Sequence, residues 1–537
     1  MSKRNKLILA IIDGASPSYL EKSLKGLNFI NNIINNGSWY ILESIDRCIT
    51  PIAMAVLATG VNPTINGITS TKIHVKGRGL WEPIYAMSSE GLKAEPIWAS
   101  LARQGFKVIV SSYPQALPDK WGKQNLILLD PYRGKEFECS EPLLLEGESE
   151  VLGERWKVEN LDGKTIVNYP TPSGRGEIVL NEENRISPPI EFVGRCKKRQ
   201  YIGLRRIILP RKSKGIYLTE AIFKKQEMVS NFNLDRLWED AFKKFGVQLD
   251  GEHRGLTKGH LTLEEYMETV KISSNFFLEY TKYLMRNIEW DVIITYNPII
   301  DNLQHLFSGY QGGEELIYEG YKMVDRFLEE IYNIGKCPLV VASDHGIIKV
   351  KKRVNLNLIF LREGLLHLNE RGKIDWGKTK VYYSGGGIIR FNMKGREKNG
   401  IVSEGEYSKL ISRVTKILEG ISDPDDGNPV FTAIFARTSP ASDGEGDIEV
   451  FVREDYTLSP RAEKEVPEIE KLEPFKSITG DHGLQRSNDK YGILIIYEQG
   501  TRKKGYYGIA SISQVAATVS RIVNAKPPSN SSSSSLI

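Results

Sequence analysis

Three short apolar runs constrain the fold more than any other feature of the sequence. They are LILAII at 7–12, DVIITY at 291–296 and LVVAS at 339–343, and they are rich in Ile, Val and Leu. Strands that are buried on both faces of a mostly parallel sheet have this pattern, whereas a strand with one face in water alternates apolar and polar residues. We therefore predict an α/β fold with a mostly parallel central sheet and helices on both faces.

Acidic residues follow all three runs, and histidines accompany two of them. Asp13 and Asp344 come at or just after the end of a run, and Asp301 follows a few residues later. His345 is next to Asp344, and His305 is four residues after Asp301, so this last pair can share one face of a helix. Carboxylates and imidazoles are ligands for Zn²⁺ and Mn²⁺, and sites in such sheets form at the carboxyl ends of strands. The alternative for each Asp alone is a helix cap or turn, and for each His a structural role.

Thr50 is a candidate nucleophile beside this predicted metal centre. The segment TPIAMAVLATG at 50–60 has Thr and Pro at its start, Ala-rich continuation and Gly at its end, which predicts a helix with Thr50 as the N-cap. Backbone N–H groups at the start of a helix hold phosphate-like anions. A Thr hydroxyl is a poor nucleophile at neutral pH unless metal coordination activates it. The alternative is that Thr50 caps the helix and does nothing more.

In order and spacing, these motifs resemble the type I phosphodiesterase/nucleotide pyrophosphatase branch of the alkaline phosphatase superfamily and its archaeal relatives. The segments that carry the resemblance are the Thr50 segment with TGVNPTINGI at 59–68, Asp-x-x-x-His at 301–305, Asp-His-Gly at 344–346, and Gly-x-His at 480–482. The stretch IIRFNMKGREKNGIV at 388–402 also resembles a segment common in archaeal members. The resemblance covers residues 5–130 and 270–525 and leaves the middle of the chain unaccounted for.

The resemblance implies an alkaline-phosphatase-like fold with two divalent ions, Zn²⁺ or alternatively Mn²⁺. It places one ion on Asp301, His305 and His482, and the other on Asp13, Thr50, Asp344 and His345. Two ions about 3.5–4 Å apart clamp the attacking and leaving oxygens of an in-line phosphoryl displacement. The implied activity is hydrolysis of phosphodiester or nucleotide pyrophosphate bonds through a covalent phospho-threonine at Thr50, and the implied partner is a small phosphate ester or nucleotide.

Other activities of the same superfamily are alternatives: a phosphomonoesterase, a phosphonate hydrolase or an enzyme like phosphoglycerate mutase. Such mutases usually have Ser as the nucleophile, and sulfatases have a modified Cys or Ser at the position of Thr50, which counts against both. An alternative of a different class is a catalytically silent protein that binds nucleotides or anions. The presence of all seven ligand positions argues against it.

Changes in local amino-acid composition divide the chain into four segments. We predict a first part of the catalytic core (1–130), an inserted cap (131–260), a second part of the core (261–525) and a disordered Ser-rich tail (526–537). The cap is predicted to be β-rich, because its short apolar runs alternate with Gly, Pro and Asn, and to end in a helix near 218–246. A long helix is predicted at 261–288, with Thr262 as its N-cap.

Composition excludes several classes of protein. The 537 residues are 40% hydrophobic and 26% charged, as in ordinary folded proteins, and a net charge of +5 does not indicate a dedicated nucleic-acid binder. No apolar run is long enough to cross a bilayer, so we expect no membrane partner. Cys48, Cys139, Cys196 and Cys337 are widely separated, so we expect free thiols and a cytoplasmic location.

One basic stretch lies in the predicted cap. Residues 195–214 contain nine Arg or Lys and no acidic residue. A solvated strand face would account for this composition. The functional hypothesis is an anion-binding patch over the metal crevice, in which Arg205 and Arg206 bind a second phosphate or the distal anion of a nucleotide.

Overall fold

A nine-stranded sheet forms the centre of the computed structural model, which describes residues 5–135, 142–196, 199–500 and 502–537. From one edge to the other its strands are Val229–Ser230, Leu126–Leu129, Val108–Ser111, Val292–Asn297, Leu7–Ile12, Leu339–Ala342, Gly492–Tyr497, Ser38–Glu43 and Gly505–Ser511. Five neighbouring pairs are parallel and three are antiparallel. The predicted mostly parallel sheet is confirmed.

The three apolar runs form the middle of this sheet. Leu7–Ile12 pairs in parallel with Val292–Asn297 on one side and with Leu339–Ala342 on the other. Every residue of the three strands is buried. Burial on both faces explains why the runs lack polar alternation. Because the strands are parallel, their carboxyl ends lie at the same edge of the sheet.

Helices pack in two groups, one on each face of the sheet. One group contains Asn28–Asn36, Leu263–Asn287, Ile299–Phe307 and Gly313–Gly335, and the other contains Thr50–Thr59, Ile97–Arg103 and Val515–Ile522. Further helices are Pro17–Ser23, Pro63–Asn66, Leu234–Leu237, Lys243–Phe245, His253–Thr257, Leu356–Arg362 and Glu404–Glu419. The predicted cap of the long helix is confirmed: Thr262 Oγ1 accepts a hydrogen bond from Glu265 N, and the Glu265 carboxylate accepts one from Thr262 N.

The middle of the chain forms a β-rich unit with its own hydrophobic core, which includes Trp156 and Phe192. A four-stranded antiparallel sheet contains Gly147–Val151, Glu154–Leu161, Lys164–Thr171 and Gly174–Leu180. Two three-stranded sheets contain Ile190–Cys196, Arg199–Arg205 and Ile222–Phe223, and Leu143–Leu144, Ile207–Ile208 and Ile216–Leu218. The β-rich character is as predicted, and the boundaries of the cap stay a prediction.

The helix predicted near 218–246 is wrong in its first half. Strands occupy Ile216–Leu218 and Ile222–Phe223, which are fully buried, because the β-branched and aromatic residues of this stretch pack well in a sheet. Helical residues begin at Leu234 and end at Phe245, with a π-helical turn in between. This helix packs on the main core.

A second lobe, within residues 352–471, was not predicted from the sequence. One of its sheets contains Val381–Gly385, Ile388–Phe391, Ile448–Val452 and Phe431–Ala436, and another contains Tyr456–Ser459, Lys352–Asn355 and Ile469–Lys471. With helices Leu356–Arg362 and Glu404–Glu419 they bury a separate hydrophobic core. Two small antiparallel pairs join Lys72–Ile73 to Ile84–Tyr85 and, across a long sequence separation, Ile348–Lys349 to Gly480–Asp481.

The last twelve residues, 526–537, form neither a helix nor a strand. They lie along the main core: Ser529 N donates a hydrogen bond to the Glu95 carboxylate, and Leu536 N donates one to Thr518 Oγ1. Their disorder stays a prediction. In the described part of the chain, no helix has the length and apolar character needed to cross a membrane.

Candidate metal centre

Asp13 and Asp344 lie in loops at the carboxyl ends of two neighbouring central strands. Asp13 directly follows Leu7–Ile12, and Asp344 comes two residues after Leu339–Ala342. Because these strands are parallel, both loops open at the same edge of the sheet. Asp13 is 2% exposed and Asp344 is 1% exposed. Two carboxylates are thus buried side by side.

Asp301 and His305 lie on one helix, Ile299–Phe307, as their spacing predicts. His305 Nε2 is 3.4 Å from Asp301 Oδ2. Gly14 allows this helix to approach the Asp13 loop closely: its φ is +71°, and a Cβ there would lie 2.9 Å from Asp301 Cα. A side chain at Gly14 would therefore push two parts of the centre apart.

The three site histidines are oriented by backbone carbonyl groups. His305 Nδ1 donates to Gly480 O at 2.7 Å, and His482 Nδ1 donates to Cys48 O at 3.0 Å. His345 Nδ1 lies 3.2 Å from a carbonyl oxygen in the same way. A proton held on Nδ1 by a carbonyl leaves Nε2 for a metal ion.

The candidate ligand atoms form two groups that share His345. In one group, the ligand atoms of Asp13, Asp344 and His345 lie within 4.8 Å of one another, and in the other those of Asp301, His345 and His482 do. His345 Nε2 is 3.4 Å from Asp13 Oδ1 and 3.1 Å from Asp344 Oδ2. Its ring stacks on that of His482 with 3.6 Å between centroids. Five of the predicted ligands therefore converge, and His305 joins them through Asp301.

Thr50 Oγ1 lies 3.1 Å from His345 Nε2, so the hydroxyl is at the metal centre. The predicted N-cap role of Thr50 is wrong. The helix begins at Thr50, which makes Ile49 the N-cap, and Ile49 O accepts hydrogen bonds from Ile52 N and Ala53 N. The helix thus starts one residue earlier than predicted, and the Thr50 side chain is free of a capping role.

The centre has the unsatisfied acceptors that cations would occupy. Asp13 Oδ1, Asp301 Oδ1 and Asp344 Oδ2 are buried and have no hydrogen-bond partner. A buried polar group left unpaired costs about 1–3 kcal/mol, and more if it is charged. Burial, together with the charges of Asp344 and Asp301, raises the pKa of Asp13 well above its ordinary value. Oxygen and imidazole donors in this arrangement fit divalent metal ions.

Burial and neighbouring charges set the protonation of the other ligands. Burial lowers the pKa of His482 well below its ordinary value, and a positive charge on His345 adds to this, so His482 is neutral as a metal ligand must be. Burial opposes ionisation of Asp301, but the charge and hydrogen bond of His305 outweigh it and lower the pKa of that carboxyl. Burial likewise lowers the pKa of His305, but Asp301 raises it to about 9.

Comparison with known proteins identifies the family. A model of type I phosphodiesterases and nucleotide pyrophosphatases matches residues 7–173 and 224–485. The chain belongs to this family. The match omits residues 174–223, in the β-rich unit, and residues 486–537. The predicted family and enzyme class are confirmed: the protein is a hydrolytic phosphoesterase of a metal-dependent family.

Solved structures show the same fold at low sequence identity. Murine ectonucleotide pyrophosphatase/phosphodiesterase 5 is 12% identical, with a TM-score of 0.52, and the alignment covers 97% of this chain and 96% of the murine one. A multiply substituted variant of the alkaline phosphatase PafA is 12% identical, with a TM-score of 0.54 and coverage of 100% and 99%. These structures confirm the alkaline-phosphatase-like fold. A search of curated protein sequences found no match.

Tyr296 is a site residue of this phosphodiesterase that sequence reasoning missed. Its hydroxyl donates a hydrogen bond to Asp13 Oδ2, and its side chain is 9% exposed. The signal in the sequence is a phenol near the end of a fully buried strand. By holding one oxygen of Asp13, Tyr296 leaves the unpaired oxygen Oδ1 for a ligand.

Replacing Tyr296 by Phe is expected to weaken binding of a divalent ion by about tenfold, since partners of metal ligands typically contribute 10–100-fold to affinity. Titration of metal-free protein with Zn²⁺ checks this. Tyr321→Phe is the matched control, because the Tyr321 hydroxyl is also buried and accepts a hydrogen bond from Ser16 N. Equal Zn²⁺ affinities for Tyr296→Phe and wild type would show that this hydrogen bond does not tune Asp13.

The structure holds Arg205 and Arg206 within the β-rich unit. Arg205 is 6% exposed, and its Nε donates to Thr219 O at 3.1 Å. Arg206 donates from Nη1 to a carbonyl at 2.8 Å and lines an open cleft of about 410 Å³ with Lys271 and Arg326. Of the basic stretch, residues 197 and 198 lie outside the described chain. Binding of substrate by Arg205 and Arg206 stays a prediction.

The predicted free thiols are confirmed for Cys48 and Cys337. Cys139 and the side chain of Cys196 lie outside the part of the chain that the structure describes.

Proposed function

We propose that this phosphodiesterase hydrolyses phosphodiester or nucleotide pyrophosphate bonds by a two-metal mechanism with Thr50 as the nucleophile. The observation that carries the proposal is the position of Thr50 Oγ1, 3.1 Å from Nε2 of the histidine common to both ligand groups. The Thr50 hydroxyl makes no capping hydrogen bond. Its position among buried carboxylates and imidazoles is therefore not explained by a role in the helix.

The two ions, Zn²⁺ or alternatively Mn²⁺, would be held as the resemblance implies. Asp301, His305 and His482 would hold one ion, and Asp13, Thr50, Asp344 and His345 the other. Bound divalent ions would lower the pKa of the Thr50 hydroxyl and offset negative charge on the phosphoryl group and the departing oxygen. Tyr296 and the backbone carbonyls behind the imidazoles orient these ligands.

Thr50 carries out the covalent part of the reaction. Its hydroxyl loses a proton to solvent water, and Oγ1 forms a bond to phosphorus as the bond to the leaving-group oxygen breaks. Water then attacks the phospho-threonine, and the bond between phosphorus and Oγ1 breaks to restore the hydroxyl. At the start of helix Thr50–Thr59, Pro51 has no N–H, and the N–H groups of Ile52 and Ala53 donate to Ile49 O, so Thr50 N is the backbone group there that could contact a phosphoryl oxygen.

A nucleotide-type substrate fits the family. An inactive threonine-to-alanine variant of the murine relative was solved in complex with AMP, and we extend a nucleotide-type ligand to this chain. We also propose a cytoplasmic location, which the free thiols Cys48 and Cys337 support.

The substrate class is tested with three chromogenic compounds on metal-loaded protein: p-nitrophenyl phosphate, bis-p-nitrophenyl phosphate and a nucleoside monophosphate p-nitrophenyl ester. The proposal expects the highest kcat/KM for the nucleotide ester, then for the simple diester. A preference for the monoester over both diesters would contradict it and favour a phosphomonoesterase.

The basic stretch is tested by replacing Arg205 and Arg206 with Ala. If these residues bind a distal anion, KM is expected to rise more for a substrate with several phosphates than for an aryl diester, with little change in kcat, because the contact is made in ground and transition states alike. The part of the rise that is due to Arg206, which lines an open cleft, is expected to shrink with added salt, because salt screens solvent-accessible charges beyond roughly 8–10 Å. Unchanged kinetics for every substrate would assign the stretch a structural role, which urea unfolding of the same variant would measure.

A further inference from the structure

Lys135 connects two carboxylates at the base of the β-rich unit. Its Nζ lies 2.6 Å from Asp250 Oδ2 and 2.9 Å from Glu220 Oε2, and its side chain is 8% exposed. Burial lowers the pKa of Lys135, but the charges of Asp250 and Glu220 outweigh it, so the net shift is upward. One ammonium group therefore offsets two carboxylates in a place with little water.

Asp250 extends this contact to the helix that carries two candidate metal ligands. Asp250 Oδ1 accepts a hydrogen bond from Asn302 Nδ2 at 3.0 Å. Asn302 directly follows Asp301 on helix Ile299–Phe307. A continuous series of polar contacts thus runs from Glu220 through Lys135 and Asp250 and ends one residue from a candidate ligand.

The far end of this series is anchored in the fold. The backbone of Lys135 pairs with Ile222 in an antiparallel bridge. Glu220 N donates a hydrogen bond to Glu252 Oε1 at 2.9 Å, and Glu252 Oε2 accepts one from Tyr217 OH at 2.9 Å. Because these contacts fix Lys135 and Glu220, the series of polar contacts couples the position of the β-rich unit to that of helix Ile299–Phe307.

We propose that Lys135 is a positioning residue for the metal centre, which acts through Asp250 and Asn302 to fix the helix that presents Asp301. The inference rests on the proposed metal site. Partners that orient metal ligands contribute 10–100-fold to metal affinity. Since Lys135 acts through two intervening side chains, we expect its loss to weaken ion binding by about tenfold, at the lower end of that range.

Removal of the ammonium group would leave two carboxylates facing each other. Burial raises the pKa of Glu220, Lys135 opposes this and Asp250 adds to it, with a net pKa of about 7. Without Lys135 one of the carboxyl groups must take up a proton or move away. Movement of Asp250 would break its hydrogen bond with Asn302.

The test is titration of the metal-free full-length protein with Zn²⁺, in wild type and four variants. Lys135→Met and Asn302→Ala are each expected to raise the Kd for Zn²⁺ about tenfold, and Lys135→Arg is expected to recover most of the loss. Lys352→Met is the matched control, because Lys352 in the second lobe is 9% exposed and contacts Asp423 Oδ1 at 2.5 Å and Asp425 Oδ2 at 2.8 Å. It is expected to reduce stability and leave the Kd unchanged.

If Lys135→Met fails to fold, Asn302→Ala decides the outcome. This variant keeps the contacts of Lys135 with Asp250 and Glu220 and removes only the hydrogen bond from Asn302 to Asp250. Wild-type affinity in Asn302→Ala, or an equal loss in Lys352→Met, would overturn the positioning role. If wild-type protein itself bound no Zn²⁺, the proposed function would fail first. These two failures are distinguished by the wild-type titration alone.

Discussion

Replacing Thr50 by Ala is expected to lower kcat by a factor on the order of 10⁴–10⁶, as the loss of a catalytic nucleophile does in other hydrolases. Ala cannot form the covalent bond to phosphorus, and the remaining ligands would only bind substrate. The fold should be retained, because Thr50 makes no capping hydrogen bond. We expect the free energy of unfolding to change by about 0.5 kcal/mol or less. Turnover of the best substrate and urea unfolding measure the two effects.

Two further variants control this experiment. Thr50→Ser is expected to keep part of the activity, because it retains the hydroxyl. Thr59→Ala, at the other end of the same helix, removes a buried hydroxyl that donates to Ala55 O at 2.7 Å, and should reduce stability without loss of turnover. If Thr50→Ala turned over substrate at a rate near that of wild type, the nucleophile would have to be another group.

Removal of metal is expected to have an effect of similar size. A chelator should abolish activity, and Zn²⁺ or Mn²⁺ should restore it, because three buried carboxylate oxygens at the centre have no hydrogen-bond partner. The loaded protein should contain about two ions per chain. Bound ions should also stabilise the fold by about 2.7 kcal/mol at a free concentration a hundredfold above Kd, which thermal unfolding would detect.

Two buried carboxylates, one at the metal centre and one away from it, test whether metal binding depends on the predicted ligands. Asp344→Asn, at the centre, is expected to reduce the ion content. Asp325→Asn should leave it unchanged, because Asp325 is buried elsewhere and accepts a hydrogen bond from Ile30 N at 2.6 Å. Elemental analysis of carefully loaded protein that found no metal in wild type would refute the two-metal mechanism as a whole.

Much of the fold and the metal centre could be predicted because residues with metal-binding side chains come at the ends of recognisable strands or on one face of a helix. Asp13 and Asp344 follow fully buried strands, and in a parallel sheet the ends of adjacent strands are neighbours whatever the intervening chain does. Asp301 and His305 are related by helix geometry alone. Both relations follow from regular secondary structure and do not depend on the conformations of the loops.

Other features depend on packing between distant segments, which local patterns do not encode. His345 belongs to both ligand groups, and His482, which follows the short strand Gly480–Asp481, stacks on its ring from a distant part of the chain. Tyr296 gave no signal beyond its residue type. The second lobe has mostly buried, apolar strands such as Ile388–Phe391 and Ile448–Val452, like those of the main sheet, so nothing in its sequence separates its core from the main one. Residue-level errors, such as the cap assigned to Thr50, arose at element ends, where one residue changes the role of a side chain.

The configuration at phosphorus tests the covalent mechanism most directly. A phosphorothioate diester of known configuration would be hydrolysed by the metal-loaded wild-type enzyme in ¹⁸O-labelled water, and the configuration of the product would be determined. Each in-line displacement inverts phosphorus, so attack by Thr50 followed by attack of water predicts overall retention. Overall inversion would show a single direct attack by water and would contradict the role of Thr50 as the nucleophile.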